Sequence, residues 1–261
     1  GVEWISYSDK LLMNNAITWQ EKNEGDISNY TLCHAKNNGW MWRIPTQEKN
    51  AYGYIFCDRF CSIEDAKKEV GVVEIDKHIK FDPGKLEKFI HKNCLAVGLS
   101  SSFLEPMEAT SIGFTIQQIF CFMHFAPSKD YFSANKHMDM IFENMFNFVL
   151  LHYNISREDT DFWKYNKENY KNTKILNEIS EIFEKRLPLI NEIGKPWTLF
   201  GSLNFIQIFH GLNLLNNENI KREYEFLDKK MKKIIHENVY DYNHQSFDSV
   251  NQRFIIDKLK I

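Results

Sequence analysis

Glycine spacing sets the first limit on what this chain can build. Its 261 residues include only 11 glycines, and the closest pair, Gly194 and Gly201, stands seven positions apart. Loops of the G-x-G-x-x-G and G-x-x-x-x-G-K-[ST] kinds need close glycines, because the backbone must turn tightly and approach a phosphate. Neither loop can occur here. If the protein uses a dinucleotide, this chain does not carry the usual pyrophosphate cradle.

Composition removes other classes. The balance of 32 basic against 35 acidic residues gives a formal net charge of -3. No basic excess exists to displace counterions from a nucleic acid, so none is expected as a partner. Five cysteines over such a length do not read as a disulfide framework. No apolar run reaches the roughly 18–20 residues of a membrane span, and the first residues lack a signal-peptide core. The expectation is a soluble, cytoplasmic protein without a membrane partner, long enough for one large domain or two smaller ones.

The pattern changes near residue 110, and the reading is α+β with a first region over 1–112 and a helical one over 113–261. Before the change, short extended runs alternate with turns: Trp40–Pro45 after Asn37-Asn38-Gly39, then His78–Phe81, then Cys94–Gly98, the last expected to be a buried strand. One helix interrupts them, capped by Ser62-Ile63-Glu64-Asp65 and stopped at Gly71. After the change, Ser111–Ala126 is apolar on most faces and reads as a buried helix. Helical spacing follows over 130–153, from a capping box at Ser156 through Trp163, and near 173–186, 198–215, 220–237 and 246–259. The lysines of 229–233 read as a solvated helix face.

Three words in the chain could carry chemistry. In Trp40-Met41-Trp42-Arg43-Ile44-Pro45, a strand places both indoles on one face. Periodicity alone favours core tryptophans. In Glu105-Pro106-Met107-Glu108-Ala109-Thr110-Ser111, a loop after Gly98 delivers two carboxylates to a helix start, where free amides and the macrodipole favour negative charge. Capping and anion binding at the Thr110 and Ser111 amides weigh evenly there. The third word is His152-Tyr153 followed by Arg157-Glu158-Asp159, for which a structural capping and salt-bridge role is favoured. Cys57 and Cys61 are rejected as a metal site because no further ligands follow at suitable spacing, and no metal is expected.

These words, in this order, resemble the flavin-dependent tryptophan halogenase family. Trp40–Pro45 matches its W-x-W-x-I-P signature. Glu105–Ser111 is similar to its E-P-L-E-[SA]-T segment, with Met107 for Leu, and the His-Tyr and Arg-acid-acid-Thr-x-Phe-Trp block is similar as well. The likeness runs from residue 1 to roughly 215 and covers only the second half of such an enzyme. It implies the later strands of a monooxygenase-like FAD module followed by a mostly helical region. The glycine-rich loop and the family's catalytic lysine have no counterpart, so the chain is expected to be a fragment, inactive alone.

The resemblance also implies a chemistry. Reduced FAD from a separate flavin reductase, with oxygen, oxidises a bound halide to a species that halogenates an electron-rich aromatic such as an indole. Glu108 aligns with the catalytic glutamate. Thr110 and Ser111 align with the halide-binding amides, Ser111 standing where Gly is frequent. Gly98, Leu99, Ser100, Ala109 and Ile112 fall on the cofactor side, and Ser102 replaces a common Gly. Trp40, Trp42, Ile44 and Pro45 fall on the wall between flavin and substrate. Implied partners are the reductase, a small aromatic substrate and the N-terminal half of the same protein, with a homodimer left open. Substrate identity does not carry over, since the last tryptophan is Trp197. Two alternatives stand beside this reading. One is a monooxygenase or oxidase of the same fold without halide chemistry, and the other is a non-catalytic binding or assembly module.

Overall fold

The computed structural model describes residues 1–245. In chain order its elements are β1 (Trp4–Ser6), β2 (Asn15–Lys22), β3 (Leu32–Ala35), β4 (Gly39–Pro45), β5 (Lys49–Phe56), α1 (Ile63–Val70), β6 (Lys77–Lys80), β7 (Gly84–Leu86), β8 (Ile90–His91), β9 (Cys94–Leu95) and β10 (Ser102–Phe103). Then come α2 (Thr110–Phe125), α3 (Tyr131–Leu151), α4 (Asp161–Asn169), α5 (Lys174–Lys185), α6 (Ser202–Gly211), α7 (Asn217–Phe226) and α8 (Lys229–Gln245). The order of strands first and helices afterwards is the expected α+β arrangement. The helix expected over 246–259 lies outside the described residues.

Contacts divide the described residues into two compact units, residues 1–14 with 80–216, and residues 15–79 with 217–245. This division does not follow the expected boundary at 112/113. Sequence period registers the switch from strand to helix, whereas compactness depends on which elements pack together, and β7 to β10 pack with the helices that follow them.

The unit containing residues 15–79 is built on a sheet of order β3-β4-β5-β2-β6. Alternation places Ile17, Trp19, Tyr54 and Phe56 on one face with Cys61 and Ala66, and α1 covers that face. Ser62 caps α1 by accepting from the Asp65 amide at 3.1 Å. Gly71 ends it at φ 73°, in the left-handed region that favours glycine, so both expected signals hold. The Tyr54 hydroxyl donates to Glu69 of α1 at 2.7 Å, and burial together with that carboxylate pushes its pKa up.

In the other unit, α3 is the central element, with Met138, Ile141, Phe142, Met145, Phe148 and Val149 all buried. Phe114 and Cys121 of α2 pack onto it. The Asn135 side chain accepts from the Phe89 and Ile90 amides at 2.8 and 2.9 Å, which ties β8 to α3.

Four expectations change. Cys94–Gly98 is not a buried strand: only Cys94–Leu95 pairs, Cys94 is exposed, and Gly98 opens a 3-10 turn. A short apolar run cannot by itself distinguish a buried strand from the margin of a two-residue ribbon. Nor is Ser111–Ala126 a buried helix. Only Thr110, Phe114, Gln118 and Cys121 of α2 are buried, while Ile112, Ile116, Ile119, Phe120 and Met123 are exposed. The capping box at Ser156 does not start a helix; Thr160 is the N-cap of α4 and accepts from the Trp163 amide. Finally, the single stretch expected over 220–237 is two helices, α7 and α8.

Candidate active site

The Glu105–Ser111 segment links β10 to α2 through a strained turn. Glu108 (φ 61°, ψ 9°) and Ala109 (φ 48°, ψ 38°) lie consecutively in the left-handed region, although neither is glycine. Each such residue costs roughly 1–3 kcal/mol and persists only where its surroundings over-determine it. Here the Ala109 amide closes on the Pro106 carbonyl at 3.0 Å, and α2 starts at Thr110 with no side-chain cap. The first amides of a helix have no partner within it, so those of Thr110 and Ser111 are available to an acceptor.

The two carboxylates of the segment have different surroundings. Glu105 is buried, and the Tyr153 hydroxyl lies 2.9 Å from each of its oxygens. Glu108 is part-exposed, at 38%, and its Oε1 lies 3.2 Å from Nε2 of His152. Both partners come from the dipeptide that directly follows α3, His152 being its C-cap, and the Tyr153 carbonyl is held in turn by the Asn166 side chain of α4 at 2.8 Å. His152 and Tyr153 are thus more than neighbours of a salt-bridge cluster. The Arg157 half of that word is structural as favoured, pairing with Asp159 at 2.5 Å and stacking over Trp163.

A second brace comes from Gln118, which the sequence reading did not single out. This buried side chain accepts from the Gly98 amide at 3.2 Å and donates to the Ser101 hydroxyl at 3.0 Å. It fastens the Gly98–Ser100 turn to α2. Gly98 has φ 60°, and Leu99 and Ser100 are exposed. Ser102 is buried in β10, and Ile112 is 73% exposed on the first turn of α2. On the buried face of α2, burial pushes the Cys121 thiol up to about 11.

Trp40, Trp42, Ile44 and Pro45 lie on β4 in the other unit. Trp40 pairs in register with Ile55 and Trp42 with Gly53, so both indoles share one face as expected. Trp40 is buried, and the Trp42 indole nitrogen is buried without a hydrogen-bond partner. Among the described residues, no group of three or more His, Cys, Asp or Glu side chains could hold a metal. No helix there is long and apolar enough to cross a membrane.

The donor set fits one side of a flat, acceptor-rich ring. Uncapped amides, a glycine at positive φ and exposed apolar side chains at Leu99 and Ile112 lie on connected elements. It does not fit a pyrophosphate, for which no close glycines exist.

The sequence profile of the family described as tryptophan halogenase matches residues 1–225. The chain belongs to the tryptophan halogenase family. The tryptophan 6-halogenase SttH of Streptomyces toxytricini is 32% identical over 181 residues, 63% of this chain and 34% of that protein. The tryptophan 7-halogenase RebH of Lentzea aerocolonigenes is 28% identical over the same shares. This family member therefore spans about a third of the length of those relatives. Among solved structures, the flavin-dependent halogenase BrvH from Brevundimonas sp. BAL3 covers 99% of this chain and 55% of its own, with a TM-score of 0.88. At 23% identity that likeness shows the shared fold. The solved SttH structure is 28% identical, with a TM-score of 0.73 over 80% of this chain and 44% of its own.

Proposed function

We propose that the protein is a flavin-dependent halogenase acting on an electron-rich aromatic such as an indole, and that this chain supplies its glutamate and halide side. The observation that carries the reading is the pair of left-handed residues, Glu108 and Ala109, at the uncapped start of α2. Strain of that kind concentrates at functional sites. Here it leaves one carboxylate part-exposed beside free helix amides.

In this reading the Thr110 and Ser111 amides hold a halide by hydrogen bonding and the helix dipole. Gly98, Leu99, Ser100, Ala109 and Ile112 border the flavin ring. Reduced FAD, when bound and met by oxygen, supplies the oxidising power that turns halide into a hypohalous species. Glu108 hydrogen-bonds the halogenating species or takes up the proton the aromatic ring loses, work that needs a carboxylate fixed close to the reacting group. Trp40, Trp42, Ile44 and Pro45 keep the wall role that the resemblance implies. A flavin-binding segment with the pyrophosphate loop and the lysine, and a separate flavin reductase, complete the system in the cytoplasm. The chain alone is inactive in this reading.

Reconstitution with that segment, FAD, a reductase, oxygen, halide and an indole panel tests it. Halogenated product that Glu108→Gln abolishes is the expected result. No product with chloride, bromide or iodide overturns the reading, and oxygenated product without halide dependence points to a monooxygenase.

A further inference from the structure

His152 has a hydrogen-bond acceptor at each ring nitrogen. Nδ1 lies 2.8 Å from the Phe148 carbonyl oxygen one turn back along α3, and Nε2 lies 3.2 Å from Glu108 Oε1. The ring stands edge-on to Phe148, with centroids 5.1 Å apart at 88°. A carbonyl oxygen can only accept, so Nδ1 must carry a hydrogen. In neutral imidazole, Nε2 would then be a bare lone pair facing a carboxylate oxygen, which repels. The contact is a hydrogen bond only if a proton lies in it, on His152 as imidazolium or on Glu108 as the acid.

We propose that Glu108 and His152 hold one proton between them, and that His152 is the positioning residue of Glu108. The inference rests on the halogenase reading for its purpose and on geometry alone for its content. A bare carboxylate at the start of α2 would itself be the anion that the free amides attract, and it would repel a second one. Sharing a proton brings the pair to net zero charge. The Thr110 and Ser111 amides then remain available to a halide, while Glu108 is still held within reach of the same site. Only a proton is involved, and no bond between heavy atoms changes.

The same contact explains why the strained turn is tolerated. Its long-range ties run from consecutive residues, His152 to Glu108 and Tyr153 to Glu105, so the end of α3 grips the segment at two points. Tyr153 binds the buried carboxylate through a neutral hydroxyl. His152 is 17% exposed at its side chain and binds the part-exposed one through an ionisable ring. The grip on Glu105 is structural, and the grip on Glu108 also sets its charge.

The test uses this chain as it stands, without flavin, halide or turnover. Nitrogen NMR of the imidazole of His152 and carbon NMR of the carboxyl of Glu108 are recorded at neutral pH, with Glu108→Gln and His152→Gln assigning the signals. The expected result is one proton beyond the neutral imidazole and the bare carboxylate: either both ring nitrogens read protonated, or the Glu108 carboxyl does. Glu108→Gln returns His152 to a neutral ring with hydrogen on Nδ1 only. His152→Gln restores a donor to Glu108 without the proton, and its carboxyl then reads ionised. A wild-type spectrum with bare Nε2 and an ionised Glu108 carboxyl overturns the proposal. Because the readout needs no product, its failure is separate from failure of the halogenase reading, which halogenated product alone decides.

Discussion

The tryptophan strand and the glutamate turn are built by opposite means. Trp40–Pro45 is one strand of a regular ladder, with each residue of β4 in register with β5. Its conformation is ordinary, and its special feature is close packing: a Cβ on Gly39 would lie 1.9 Å from the Ile55 carbonyl oxygen. Glu105–Ser111 has little ladder to rest on. Two adjacent residues sit in a disfavoured region, and hydrogen bonds from residues 44 and 48 positions away hold the segment. Local geometry suffices for the first word, whereas the second depends on tertiary contacts.

Four substitutions break or sharpen that contrast, each read by urea unfolding of the chain. The largest effect is expected for Gly39→Ala, where the new methyl meets backbone rather than a movable side chain. A loss of about 3 kcal/mol is expected from such overpacking, and a neutral result would show that the ladder is looser than its register implies. Tyr153→Phe removes the hydroxyl that meets both oxygens of buried Glu105 and should lower stability by roughly 2 kcal/mol. If stability is unchanged, the end of α3 does not hold the turn. Ala109→Gly should act in the opposite direction, raising stability by about 1 kcal/mol, because glycine relieves the left-handed strain. A destabilised variant would mean that the Ala109 methyl packs better than its backbone suffers. The smallest effect is expected for Trp42→Phe, which loses ring contact but also removes a buried indole donor without a partner. The two effects should leave stability within about 1 kcal/mol of the wild type. A larger drop would mean that the indole contributes more packing than its half-buried position suggests.

Much of the fold was legible because its signals are local. The Ser62 cap and the Gly71 stop of α1 were readable from spacing, as were the β4 strand and the long α3 helix. The errors share a cause. Ser156 carries a capping-box pattern, but Thr160 four residues on is the cap, and propensity alone cannot choose between adjacent candidates. α2 is apolar around most of its circumference, and period alone cannot say which of those faces is covered.

The sequence by itself determined the family, through two words of specific residues, and it excluded a pyrophosphate cradle through glycine spacing, since a loop without glycines cannot approach a phosphate. It also marked Glu105 and Glu108 as carboxylates at a helix start, and the family resemblance, not the local pattern, singled out Glu108. Only the tertiary structure decided that Glu105 is buried under Tyr153 while Glu108 remains part-exposed beside His152. The reason is physical: burial and hydrogen-bond partners are supplied by the end of a helix more than forty residues away, and no local pattern encodes which carboxylate that helix will meet.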